Sequence, residues 1–392
     1  MNHKSRLSVF PLLSSARAVA IFFLLAISSV GSAANLTWSV GNGTWTSNAS
    51  WNLNQQPGSG DGVIFNGSSS DYTSTLGANY TIFRLTANGT AGTGNLTIAP
   101  GGNNILTLSK FDGDGSPSAI QINSGAGAVL IQSALKLDPN DGDYNFISVE
   151  NAAGLTLTQF ATGTDGFTKE GNGTLFLNLS GNNTIARYTA IERGTVELAA
   201  GNLLQDFNMG VAYSAGSNGT LNIQSGSMEV DGSFEVGYEG SGAVNVNGGN
   251  LTLANQVDIG RGNGTAVVNL NSGSLRQTAG SSSMTIGGGS GSGELNMAGG
   301  EFATAGFFRI EQNGTLSVSG GNATIGNPTD VNGGFQASGG NTVINLTGGT
   351  IASGRVVLSN GAAFNLGNGT TAGSAHILEP VRKVACRFLR IV

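Results

Sequence analysis

The residues able to do chemistry are few, and most lie in short acidic runs. Asp112 and Asp114 sit in FDGDGSPS, and Asp138, Asp141 and Asp143 sit in LDPNDGDYNF. Alternating carboxylates of this kind suit a Ca²⁺ loop, which needs roughly six to eight oxygen ligands. Neither run completes the calcium-loop pattern. Gly115 and Ser116 follow Asp114, and the twelfth position counted from Asp112 is Asn123. Neither run matches the Gly-Gly-x-Gly-x-Asp nonapeptide. Both read as acidic turns. Lys136 beside Asp138 and Asp141 is the one group with the composition of a polysaccharide lyase or hydrolase centre. His376 and Cys386 lie ten apart without further partners, so no metal site and no cysteine nucleophile are expected. No cofactor is implied.

Trp38, Trp45 and Trp51 are all the tryptophans of the chain. They read as an aromatic platform for a sugar or as a cap over one end of the fold, the cap being preferred. The elements that must position these groups follow from composition. Gly supplies 64 of 392 residues, Pro only 7, and charged residues 10%. Gly without a three-residue period and with little Pro excludes collagen. One Cys excludes an internal disulfide scaffold. A content of 39% apolar residues argues against disorder. Gly costs roughly 1 kcal/mol in a helix interior, which argues against a helical protein. A β-rich chain with many turns remains.

Residues 1–33 read as a secretory signal peptide. Lys4, Arg6 and Arg17 precede an apolar run over 18–30, and Gly31-Ser32-Ala33 offers small residues for cleavage. The run is short for a bilayer span, which needs about 20 residues, so an uncleaved anchor is the lesser reading. Between residues 34 and 375 the formal charge is about −12, with 22 acidic and 10 basic residues. That balance argues against nucleic acid as a partner, and no second apolar run long enough to span a membrane follows. Asn-Gly-Thr occurs at Asn42, Asn88, Asn172, Asn218, Asn263, Asn313 and Asn368. It reads as a turn in which Asn-Gly takes positive φ and Thr opens the next strand, rather than as a glycosylation site.

From residue 205 onward the chain repeats. One unit is apolar-x-apolar-Gly, as in Phe207-Asn208-Met209-Gly210, Phe234-Glu235-Val236-Gly237, Val257-Asp258-Ile259-Gly260 and Met284-Thr285-Ile286-Gly287. Phe308-Arg309-Ile310-Glu311 is a degenerate copy. A second unit is apolar-Asn-apolar with Gly three residues later, carried by Asn222, Asn245, Asn269, Asn296 and Asn345, with Ser317 in one copy. A third short strand follows each. Three period-2 strands in about 25 residues predict one coil of a parallel β-helix, right-handed by the usual crossover rule. The Asn residues should form an outward ladder, hydrogen-bonded from coil to coil. It reads as a self-satisfying structural row, with a carbohydrate- or surface-binding strip as the lesser reading. Glu235 and Asp258 should be outward neighbours on adjacent coils, where a cation would relieve their repulsion; a Ca²⁺ site is not favoured there.

Residues 166–204 read GFTKEGNGTLFLNLSGNNTIARYTAIERGTVELAAGNLL. This resembles the autotransporter-associated beta strand repeat through Gly166, Thr168, Lys169, Gly171, Gly173, Thr174, Leu175, Leu177, Gly181, Asn183, Thr184, Gly194, Thr195 and Leu198. Phe167 and Val196 stand where Leu is usual, and residues 185–189 replace the usual Tyr-Thr-Gly-Gly-Thr-Thr stretch. The Trp-rich opening with Pro57, Asp61 and Phe65 is similar to the first strands of many such bacterial surface proteins. The resemblance implies an exported β-helical passenger and no catalytic residues. Lys169 and Glu170 belong to its motif and are expected to be structural. No C-terminal β-barrel and no Pro-Glu-Pro sorting signal are visible. Residues 374–392, with four basic residues and no Gly, read as a truncated or frame-shifted end, or as a short basic anchor.

The expected organisation is a signal peptide (1–33), an N-terminal cap with irregular coils (34–165), the repeat-like stretch (166–204), regular coils (205–373) and an atypical tail (374–392). The expected fold is all-β, an elongated right-handed parallel β-helix. The expected role is an exported, non-catalytic structural or adhesive protein of the cell surface or matrix, with polysaccharide among its partners. A β-helical polysaccharide lyase or hydrolase, or a carbohydrate-binding module, is the alternative.

Overall fold

The computed structural model describes residues 33–109, 119–138, 145–326, 334–367 and 374–377. The segment 1–32, Asp112, Asp114, Asp141, Asp143, Asn368 and Cys386 lie outside the described residues, as does the tail from 378. The described chain is a parallel β-helix, with three short strands per coil lying on three faces. Face 1 is a sheet of 14 parallel strands, from Asn35–Thr37 through Phe234–Val236 to Val356–Ser359. Strands about 4.8 Å apart carry that sheet about 60 Å along the axis. Residues 34–165, expected to be irregular, use the same three faces.

One coil shows why the sequence winds this way. Phe234–Val236 lies on face 1, Ser241–Val246 on face 2 and Asn250–Leu253 on face 3, and Val257–Ile259 returns to face 1. Side chains alternate across each strand. Phe234, Val236, Val244, Val246, Leu251 and Leu253 therefore point inward, and all are buried. Each such side chain contributes roughly 1.5–3 kcal/mol on leaving water. The inward residues stack in columns. One column on face 1 runs Leu36, Val63, Leu85, Ile120, Ile147, Lys169, Ile191, Val211 and Val236 in unbroken register.

The repeat-like stretch differs from its neighbours at one corner. Thr174–Ile185 and Arg193–Gln205 are continuous strands of 12 and 13 residues that serve both face 2 and face 3. The coil that holds the second of them is the shortest in the face 1 register, although the Ile147-to-Lys169 coil, with separate strands, also takes 22 residues. Lys169 to Ile191 is 22 residues and Ile191 to Val211 is 20, against 25 from Val211 to Val236.

Three sequence expectations change. Met209 pairs with Phe234 and Gly210 with Glu235, so the first copy of the repeat is Met209-Gly210-Val211-Ala212, two residues later than read from the sequence. Phe207 is left exposed, and Asn208 lies outside the row of Glu235 and Asp258. The slip escapes detection because a shift of two preserves the in-out alternation. The marker glycine is also missing: Ala212 takes φ +52° where Gly237, Gly260 and Gly287 take +61°, +67° and +74°. The third change concerns Asn-Gly-Thr. None of Gly43, Gly89, Gly173, Gly219, Gly264 and Gly314 has positive φ, and of the asparagines before them only Asn313 does, at +62°. A Cβ on Gly219 would lie 2.0 Å from the Ile191 carbonyl oxygen of the preceding coil, so close backbone approach selects glycine there.

Candidate functional site

The outward row on face 2 is the most regular chemical feature of the molecule. Asn222, Asn245, Asn269 and Asn296 are successive register partners. Asn245 donates its amide to Asn222 Oδ1 at 2.8 Å, Asn269 to Asn245 at 2.8 Å, and Asn296 to Asn269 at 3.2 Å. Ser317 takes the next rung, and Asn345 donates to its Oγ at 3.4 Å. Asn365 donates to Asn345 at 2.8 Å and extends the row by one coil. The sequence reading missed Asn365, although Phe364-Asn365-Leu366 carries the same apolar-Asn-apolar signal. Every donation runs toward the N-terminal end. These amides are half-buried, except Asn365, which is exposed.

The three tryptophans are buried rather than laid out on the surface. Trp38, Trp45 and Trp51 are 7%, 0% and 2% exposed. Trp45 and Trp51 meet edge to face at 5.3 Å, Trp38 and Trp51 at 5.0 Å, and Phe65 and Tyr80 close the cluster. Their indole N–H groups donate to the Gly41 carbonyl, the Ser74 hydroxyl and the Trp45 carbonyl. A buried ring with its polar atom satisfied has no face left for a ligand. The cluster sits in the first coil and belongs to the same buried core as Leu36.

Glu235 and Asp258 are adjacent in register on the outer side of face 1. Burial and the neighbouring Asp258 raise the Glu235 carboxyl above its ordinary range, and Arg261 opposes them. The cation beside this pair is Arg261, whose Nη1 lies 3.3 and 3.2 Å from the Asp258 carboxylate oxygens. Gln256 donates to Asp258 Oδ2 at 2.7 Å. Tyr213 and Tyr238 stack beside the pair, ring centroids 5.0 Å apart. Lys136 pairs with Asp138 at 3.1 Å, both partly exposed. Among the described residues no group of three or more His, Cys, Asp or Glu is placed to hold a metal ion, and no helix is long and apolar enough to cross a membrane.

Lys169 carries a signal the sequence did not give. Its register partners Ile147 and Ile191 point inward, and so does it. It is fully buried, and its ammonium donates to the carbonyls of Glu170 (2.7 Å), Gly171 (2.8 Å) and Arg193 (3.1 Å). Three acceptors use all three of its protons. Burial lowers its pKa to about 8, with Glu150 and Glu170 opposing the shift.

No family model, curated protein or solved structure matches this chain. What its outer rows do must therefore be argued from their own chemistry.

Proposed function

We propose that this chain is an exported, non-catalytic β-helix of the cell surface or extracellular matrix, which adheres through a repetitive outer surface. One observation carries the reading: the same amide recurs in register on face 2 from Asn222 to Asn296 and again at Asn345 and Asn365. Repeated weak contacts at fixed spacing give avidity without a deep pocket. The signal-like composition of residues 1–33 supports export, and the resemblance of residues 166–204 to the autotransporter-associated repeat supports a surface passenger. The test is adhesion of the purified chain to cells and matrix sheets. Retention that rises with the number of coils displayed supports the reading, and no retention on any surface overturns it.

A polysaccharide-active enzyme is the second reading, and the register pair Glu235–Asp258 is what favours it. Two carboxyls at strand spacing approach the separation of a retaining glycosidase, about 5–5.5 Å. Against it, Asp258 is buried and already bound by Arg261 and Gln256. Release of reducing ends from a polysaccharide, abolished in Glu235→Gln, would establish this reading over the first.

A further inference from the structure

We propose that face 2 binds a linear, uncharged polysaccharide laid along the coil axis, with roughly one sugar over each coil. This rests on the adhesive reading and specifies its ligand and its face. An Asn side chain has two N–H donors and a carbonyl oxygen with two lone pairs. The ladder uses one donor and one lone pair of each internal rung such as Asn245 and Asn269. Half the capacity of each rung is left for a ligand, and the rungs are half-buried rather than covered.

Access to the amides is set by the neighbouring outward row, two residues earlier in each strand. Ala243, Val267 and Val343 stand there, and in this row only Glu294, beside Asn296, is long enough to screen an amide. From Thr220 to Asn365 these two rows carry one charge, Glu294. The other faces keep no such identity. Face 1 presents Arg84, Glu235, Asp258 and Arg309 in its outer strip, and face 3 presents Glu229 and Arg276. In a molecule of net charge −6, a long uncharged strip of amides and hydroxyls matches a ligand whose hydroxyls both donate and accept. An acidic polysaccharide finds no cation in these two rows; Arg193, one coil earlier on face 2, is paired with Glu170. Rungs repeat at about 4.8 Å, close to the length of one pyranose in an extended chain, so a linear glycan meets a few neighbouring amides before the two spacings drift apart.

The experiment uses the full chain in pull-down on insoluble cellulose, chitin and xylan, with alginate and polygalacturonate gels as acidic counterparts. The expected result is retention on at least one neutral glycan and none on the acidic gels. Ala243→Arg with Val267→Arg lays long side chains across the shelf and leaves every ladder amide in place. It should cut neutral-glycan retention at least tenfold with an unchanged melting temperature. Asn269→Leu, checked for melting in the same way, should lower retention several-fold. Retention untouched by the double Arg variant overturns the proposal. So does adhesion to cells with no neutral glycan retained, which leaves the adhesive reading standing. Loss of adhesion to every surface removes both.

Discussion

Lys169 and Ile191 occupy the same inward position on adjacent coils, one an ammonium and the other a hydrocarbon. The difference is accommodated because the Lys169 stem runs through the column and its head reaches carbonyls at the corner. Lys169→Met keeps the stem and strands the carbonyls of Glu170, Gly171 and Arg193. Leaving buried carbonyls unsatisfied costs about 1–3 kcal/mol. Urea unfolding of the two proteins at pH 7 measures the difference. Equal midpoints would mean those carbonyls find water at no cost.

The same lysine sets a pH dependence. Its folded pKa of about 8 lies below the unfolded value of 10.5, so between those values the unfolded chain holds more protons. Stability therefore rises as pH climbs through 8, by about 2 kcal/mol at pH 9.5. Tyr72 acts in the opposite direction at higher pH. Burial pushes its hydroxyl up to about 12 from 10.0, so its contribution is lost as pH rises beyond 10, and titration should stop near pH 9.5. The rise should be present in the parent protein and absent in Lys169→Met. A rise of equal size in both assigns it to another group.

Trp45 is fully buried in the end cluster. Trp45→Ala should cost about 3–5 kcal/mol, as large-to-small changes in cores do. Acrylamide should quench the native fluorescence weakly, and added saccharides should leave it unchanged. Strong quenching, or a shift on adding sugar, would place an indole at the surface and refute the cap.

A small void lies inside the coil among Phe167, Ile185, Ile191, Val196, Gln205 and Met209. Val196 stands where the autotransporter-associated repeat usually has Leu. Val196→Leu should fill the void and raise stability by about 0.5–1 kcal/mol, in the range of cavity-filling changes. A drop in melting temperature would show that the void is too tight for the added methylene.

Gly237 and Ala212 share a corner and a positive φ. A Cβ on Gly237 would lie 2.0 Å from the Thr265 carbonyl oxygen. Gly237→Ala should cost more than about 2 kcal/mol, from left-handed strain and this contact together. Ala212→Gly should shift stability by less than about 1 kcal/mol, because relief of strain offsets added chain entropy. Chemical denaturation of both variants checks the pair, and equal losses would contradict the shared corner.

The winding was legible because stacking imposes it on every coil. Asn222, Asn245 and Asn269 mark register by identity, and an inward Val or Leu flanks each one. Where a marker was lost, legibility failed. Ala212 in place of Gly hid a two-residue slip, and alternation alone could not correct it. Lys169 was read as a motif residue, because sequence cannot say that a lysine points inward when the acceptors that permit it are backbone carbonyls. The tryptophans allowed two readings until their neighbours were known, since an indole suits a core and a sugar equally well. The residues of face 2 were visible from the start, and what the fold added was their shared direction and the low row beside them.

The hydrogen bonds between coils lie along the axis, while the strands lie across it. Tension applied end to end therefore loads one coil's bonds at a time instead of shearing a whole sheet. Each release of about 25 residues would pay out roughly 80 Å of slack. Anchored at one end and holding a surface at the other, such a chain would yield in steps, as a spool does, and limit the force that reaches its attachment.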